Sequence, residues 1–457
     1  MIRKGIYNLE NTRELAVDML LEIVEKNNYS HLMIRDVLNK YNYMDGRDKA
    51  FLKRVTEGTL ERMIQIDYAL DQFSRVPVSK MKPFIRNLLR MSVYQLLFMD
   101  AVPDSAVCNE AVKLAGKRGF RSLQGFVNGV LRNISRNKQE ISWPKEEKDP
   151  VSYLSVMYSM PKWLTEKFIN ELGIQQTKNM FQSFLDISPV TIRLKESLDE
   201  KEKDHLIKEM EAGKAVVKKH SYLDYAYCLE NIEGMESLPG FSEGLFTVQD
   251  VSSMLVCECA GIKEKDYVID VCASPGGKAL HAAEKLKNTG FVSARDLTFH
   301  KVELIQDNID RMKACNIETF VQDAKDLCSG DIEKADVVIA DLPCSGLGIM
   351  GKKADIKYHV SPESLMQLQC LQREILSVVW QYVKPGGTLL YSTCTVNKGE
   401  NEENVKWFLE NFSFQAEDFS AFLPEELAKE GKDGMLQLLP GKHKTDGFFI
   451  AKLRREV

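Results

Sequence analysis

No CxxC pair, no pair of histidines at metal-ligand spacing and no apolar run long enough to cross a bilayer occur in the 457 residues. The ten cysteines are scattered, with Cys257 and Cys259 the closest pair, so neither a zinc site nor a disulfide framework is expected, and no metal is assigned. Apolar stretches such as DVVIADLP (336–343) are far too short for a membrane span, and the N-terminus MIRKGIYNLE lacks the apolar core of a signal peptide. A cytoplasmic protein with no membrane partner is the expectation. The seven histidines show no sequence pairing with the cysteines and receive no role.

The chain has no strong net charge, only −5 overall, but the charge is uneven. Residues 1–140 carry 23 Lys and Arg against 16 Asp and Glu, whereas the remainder carries 38 against 50. A basic first third on an acidic body points to a polyanion-binding module joined to a different one. With 44% hydrophobic and 28% charged residues, the chain reads as an ordinary globular protein of two or three domains.

Residues 11–140 read as helices. In NTRELAVDMLLEIVEKN, Leu15, Ala16, Met19, Leu20, Ile23 and Val24 recur at helical spacing, and Asn11 with Glu14 resembles a capping box. The polar, proline-bounded stretch SWPKEEKDP (142–150) is the best linker candidate. From 150 to 245 helical and strand-like patterns mix, as in a small α+β connecting domain. Beyond Gly244, the runs 266–273, 289–296, 319–324, 335–343 and 386–395 alternate with helical segments, as in a parallel doubly wound sheet. The tail 435–453 reads as two strands around a turn, giving that sheet an antiparallel edge.

VIDVCASPGGK runs from a buried strand into a loop of small residues and then a helix. Gly276 and Gly277 let the backbone approach a ligand, and the helix start offers free amides. Asp296, twenty residues past Gly276, stands where a carboxylate can hold ribose hydroxyls, and Asp323 and Asp341 close the next two strands. Three carboxylates at neighbouring strand ends beside a glycine loop favour an adenosyl cofactor. Asp341 opens DLPCSG, where the proline and Gly346 should turn Cys344 to the crevice mouth, and YSTCTV puts Cys394 at the end of the following strand. A nicotinamide-dependent dehydrogenase would share the loop and Asp296 but has no need of two strand-end thiols. A non-catalytic binding protein would follow if Cys394 were absent or buried.

CASPGGK, DLPCSG, STC and DGFFIA resemble the motifs of the RNA 5-methylcytosine methyltransferases of the Nop2/Sun family, and PKWL, PVTIRLK and VQDVSSMLV resemble the family's segment before the catalytic domain. FVNGVLRN, near the end of the helical region, resembles the NusB-like RNA-binding domain. The resemblance implies an all-α NusB-like domain (1–141), an α+β connecting domain (150–245) and an α/β Rossmann-like class I methyltransferase domain (246–457). It implies S-adenosylmethionine as cofactor, held by Cys272, Ala273, Ser274, Pro275, Gly276, Gly277, Lys278, Asp296, Asp323 and Asp341. It also implies an RNA substrate, small-subunit rRNA, with tRNA as the alternative, no DNA partner, and a monomer.

Carbon 5 of cytosine becomes a competent nucleophile once a thiolate adds to carbon 6 and a group at the N3 edge stabilises the adduct, a role Asp341 suits. Residue types alone leave open which thiol attacks. The family resemblance implies Cys394 as nucleophile and Cys344 in release of the product. Lys278 reads equally as a ligand contact or a surface residue. Three positions depart from the family pattern: Ser274 for Ala, Ala279 for Thr, and Tyr358 for Trp, the last expected on the substrate side.

Overall fold

The computed structural model describes residues 12–457 except 187 and 233. The chain forms two compact units, Met1–Asp186 with Met350–His359, and Ile187–Ile349 with Val360–Val457. Asn11, expected as a helix cap, lies outside the described residues. Among the described residues, no helix is long and apolar enough to cross a membrane.

The first unit is helical. Its centre is the helix Pro83–Phe98, PFIRNLLRMSVYQLLF, which is buried from Phe84 to Leu96 but for Arg86; among its buried polar side chains, Arg90 pairs with Asp67, and Ser92 and Gln95 with carbonyls one turn back. The helix Gly46–Glu61, capped by the Asp45 side chain on Asp48 N, crosses it closely at Gly58, where a Cβ would stand 2.0 Å from the Tyr94 ring. Residues 142–150, read as a linker, lie against this unit: Tyr68 Oη donates to Ser142 O at 3.0 Å, and Trp143 stacks on Tyr68. The helices Pro150–Met157, Lys162–Leu172 and Ile174–Ser183 follow in the same unit. Residues 150–245 are therefore divided near Asp186: the three helices before it stay in the first unit, where Phe168, Phe181 and their neighbours bury their apolar faces among helices, while the helix Glu200–Ala212 and the strands that follow Asp186 belong to the second.

Residues 350–359 complete the first unit. Asp355, almost fully buried, accepts from Ser30 N at 2.8 Å and Ser30 Oγ at 2.6 Å. Lys357 Nζ donates to Glu61 O at 2.8 Å, and Tyr358 Oη to Leu60 O at 2.8 Å. Tyr358, expected on the substrate side, is thus an anchor inside the helical unit, where its hydroxyl donates to a carbonyl in the last turn of the helix Gly46–Glu61.

The second unit holds two sheets. Strands β1 (Val190–Leu194), β2 (Val216–Lys219), β3 (Ala226–Glu230) and β4 (Phe246–Val248) form an antiparallel sheet in the order β2-β3-β1-β4. The larger sheet contains β5 (Tyr267–Asp270), β6 (Phe291–Asp296), β7 (Ile317–Val321), β8 (Ala335–Asp341), β9 (Val383–Thr393), β10 (Phe414–Ala416), β11 (Met435–Leu438) and β12 (Phe448–Arg455). Its order is β10-β12-β9-β8-β5-β6-β7, with β11 also paired to β12. From β9 to β7 all pairs are parallel, while β12 runs antiparallel to β9, β10 and β11. The expected antiparallel edge is present, enlarged by the short β10 that the sequence reading passed over.

Both faces of this sheet are covered. Along β8, Val337 and Ile339 join the core under the helices Val251–Ala260 and Gly277–Lys285, whereas Val338 and Ala340 join the core under Pro362–Val379. A strand buried on both faces must be apolar throughout, which is why VVIA reads as a continuous run. Strand order reverses between β5 and β8, and the crevice beyond their carboxyl ends is where such sheets bind ligands.

Candidate active site

β5 delivers the loop Cys272–Gly276 into that crevice. Gly276 takes φ +105°, a conformation costly for any residue with a Cβ, and so turns the chain into the helix Gly277–Lys285. The loop walls a cavity of about 150 Å³ together with Gln249, Asp270, Lys278 and Asp341. Gln249, from VQDVSS, is held by fully buried Arg193 of β1, Nε to Oε1 at 2.8 Å, so the smaller sheet supplies part of the wall.

Of the expected strand-end carboxylates, Asp296 and Asp341 are brought to the loop and Asp323 is not. Asp296, almost fully buried, accepts from Ser274 N at 3.0 Å and Leu297 N at 2.8 Å, with Lys301 Nζ at 3.0 Å. Asp323 lies two residues past the end of β7, and its Oδ1 accepts from Lys325 N in its own turn. Asp341 sits opposite Ser392 in register and accepts from Ser392 Oγ at 2.8 Å.

Lys278 is no surface lysine. Its side chain is 13% exposed, its ammonium lies 2.6 Å from Asp341 Oδ2, and it covers the Phe448 ring at 5.3 Å. Burial works against its charge, but Asp341 and Asp270 together hold its pKa above the ordinary lysine value. Asp270, overlooked in the sequence because it sits inside the apolar run VIDV, is the third carboxyl of the site. Burial, and then the charge of Asp341, push it up to about 7, and its Oδ2 finds no hydrogen-bond partner. A lone carboxylate in a buried strand was the signal that could have marked it.

The two thiols meet. Cys344 Sγ and Cys394 Sγ are 3.2 Å apart, both half-buried, one following β8 and the other at the end of β9. The hydrogen bond to Cys394 and then burial raise the Cys344 pKa well above the usual thiol value. Gly348 N donates to Cys394 O at 3.1 Å, and Gly447, of the DGFFIA stretch, donates its N–H to Gly348 O at 2.9 Å. These backbones touch so closely that a Cβ on Gly348 would stand 1.9 Å from Gly447 O. Ser345, next to Cys344, gives its N–H to buried Glu400 Oε2 at 2.8 Å, and its Oγ lies 2.7 Å from Thr395 Oγ1, next to Cys394.

Residues 259–454 match the model of the 16S rRNA methyltransferase RsmB/F family, and residues 10–136 match the NusB family. The chain is 34% identical to the probable ribosomal RNA small subunit methyltransferase B of Bacillus subtilis, over 98% of this chain and 99% of that one. The chain belongs to the ribosomal RNA small subunit methyltransferase B family. The Vibrio cholerae member is 28% identical over 98% of each chain. Among solved structures, that of PH0851 aligns over 98% of this chain and 99% of its own, with a TM-score of 0.80 at 24% identity. NSun6 from Pyrococcus horikoshii with SFG aligns over 65% of this chain and 99% of its own, with a TM-score of 0.58 at 22% identity. Both share the fold.

As a member of this methyltransferase family, the chain uses S-adenosylmethionine. The residues of the cavity fit that group. Unpartnered Asp270 Oδ2 offers a buried acceptor for a cationic ligand, and the left-handed turn at Gly276 opens the helix start toward it.

Proposed function

We propose that this chain methylates carbon 5 of a cytosine in small-subunit rRNA through a covalent bond between Cys394 and the base. The observation that carries this reading is the pairing of two thiols 3.2 Å apart beside an ion-paired carboxylate at the cofactor crevice. S-adenosylmethionine supplies an electrophilic methyl group; the protein's task is to make carbon 5 able to accept it. Cys394, as thiolate, adds to carbon 6. Asp341 and Lys278 act as one unit at the N3 edge, where Lys278 offsets the negative charge that develops on the ring. After methyl transfer, Cys344 or a water that it positions takes the carbon 5 proton, the freed electron pair re-forms the ring double bond, and the carbon 6–sulfur bond breaks to return Cys394 as thiolate. Asp296, held by Ser274 N, takes the ribose hydroxyls, and residues 272–278 wrap the rest. Residues 1–141 supply RNA affinity, supported by their excess of basic residues and by the NusB match.

A denaturing gel of enzyme incubated with small-subunit rRNA and S-adenosylmethionine tests the assignment. Cys344→Ala should accumulate a slow-migrating protein–RNA adduct, while Cys394→Ala and the double variant should form none. The reverse pattern would assign the attack to Cys344 and overturn the reading. Methylcytosine mapped in tRNA and absent from rRNA in cells expressing the chain would transfer the substrate to tRNA.

A further inference from the structure

Glu400 stands in NKGENEEN, an acidic stretch of the kind that ordinarily lies in solvent, yet it is fully buried. Its carboxylate accepts from neutral donors: Ser345 N and Oγ at 2.8 and 2.5 Å, Gln372 Nε2 at 3.0 Å and Asn397 Nδ2 at 2.9 Å. A buried carboxylate met by these neutral dipoles is expensive to maintain, and it holds them tightly. The bonds close a ring. Asn397 N donates to Thr395 Oγ1 at 3.2 Å, and Thr395 Oγ1 meets Ser345 Oγ at 2.7 Å. Ser345 and Thr395 each follow a cysteine of the pair, so one side chain fastens both thiol-bearing loops.

The ring is also electrically lopsided. Cys344 faces Glu400, Asp341 and Cys394, all acidic groups. Cys394 faces Cys344 on one side and the Lys278 ammonium on the other, and that ammonium is in turn held by Asp341 and Asp270.

We infer that Glu400 is a positioning residue that clamps the two cysteine loops together and directs the proton of the thiol pair to Cys344, leaving Cys394 as the attacking sulfur. When the pair loses one proton to solvent, the negative field of Glu400 keeps the other on Cys344 Sγ, where it hydrogen-bonds to the Cys394 thiolate. The inference rests on the roles proposed above for the two cysteines.

Alkylation of the full-length protein with iodoacetamide, with both cysteine peptides followed by mass spectrometry across pH 6 to 9, tests the charge effect without RNA. In the wild type, Cys394 should be modified several-fold faster than Cys344 near neutral pH, because the thiolate and not the thiol reacts. Glu400→Gln keeps the size and removes the charge, and should cut that preference by about threefold or more. An unchanged preference in Glu400→Gln, in protein still stabilised by S-adenosylhomocysteine, would overturn the inference. Should Glu400→Gln fail to fold, Ser345→Ala tests the clamp, since it leaves the charge and deletes the hydroxyl between the loops. It should lower kcat about tenfold with KM for rRNA unchanged, as expected for a lost transition-state arrangement. Wild-type kcat in Ser345→Ala would refute the clamp. An adduct gel that assigns attack to Cys344 would instead defeat the functional reading and is scored separately.

Discussion

Replacing Asp270 by Asn isolates the energetics of the cofactor crevice. The carboxyl has no solvent contact, and burial followed by the charge of Asp341 carries it from 3.8 to about 7. Its folded-state value lies above its unfolded value, so below pH 3.8 it is protonated in both states and contributes no difference. As pH rises from 3.8 to 7 the unfolded chain ionises and the folded one resists, so stability falls through this window and levels off above it. The full interval corresponds to about 4 kcal/mol. Asn keeps the size and an oxygen acceptor for Cys272 N but has no proton to lose. Urea unfolding of both chains, from pH 4 to pH 8.5, should therefore show Asp270→Asn gaining on the wild type by about 4 kcal/mol across the series. Binding gives an opposite signature. A cationic ligand beside Asp270 favours its ionised form, so wild-type affinity for S-adenosylmethionine should rise with pH through about 7, and the variant's should stay level and weaker. A stability difference that stays within about 1 kcal/mol over the whole range would refute the argument that Asp270 is a buried, proton-bearing carboxyl.

Asp296→Ala should weaken S-adenosylmethionine binding by about 1.5–3 kcal/mol in isothermal titration, the worth of hydrogen bonds from ribose hydroxyls to a charged carboxylate, with a smaller effect on turnover at saturating cofactor. Wild-type affinity would exclude the ribose role. Gly348→Ala forces a Cβ into the space of Gly447 O and should cost about 1–3 kcal/mol of stability in thermal melts, with loss of methyl transfer because the same glycine carries the bond to Cys394 O. An active, normally stable Gly348→Ala would show that the contact yields. Exposed Arg75 and Lys80, in the connection before the central helix, are candidates for phosphate contacts. For each contact that their Gln variants remove, the slope of log affinity against log salt should fall by about 0.7–0.9, and unchanged slopes would place the RNA elsewhere.

The parallel strands and the residues at their ends were legible because each apolar run stops at a residue that must meet water or ligand. Asp341, Cys344 and Cys394 follow from that rule. Asp323 shows its limit, since β7 ends two residues early and the aspartate closes its own turn. Asp270 escaped for the opposite reason: it lies within the run, and only the strand-order reversal beside β8 makes a cavity there. Glu400 was illegible in principle, because its sequence neighbours are solvated acids and its burial depends on Ser345 and Gln372, 55 and 28 residues away. The anchoring of Tyr358 was equally hidden, because its partners Leu60 O and Ser159 lie 298 and 199 residues away.

The placement of Met350–His359 within the first unit has a consequence for synthesis. That unit owns residues up to Asp186 and then nothing until Met350, so a nascent chain that has delivered the N-terminal helices still lacks the piece that satisfies Ser30, Leu60 and Glu61. At about 5–20 residues per second, that last piece emerges roughly 9–35 seconds later. Throughout this interval the helical unit is an unfinished fold whose closing segment is still being made. Its stability is therefore coupled to completion of the loop that carries Cys344, and a ribosome stalled between the two leaves neither half finished.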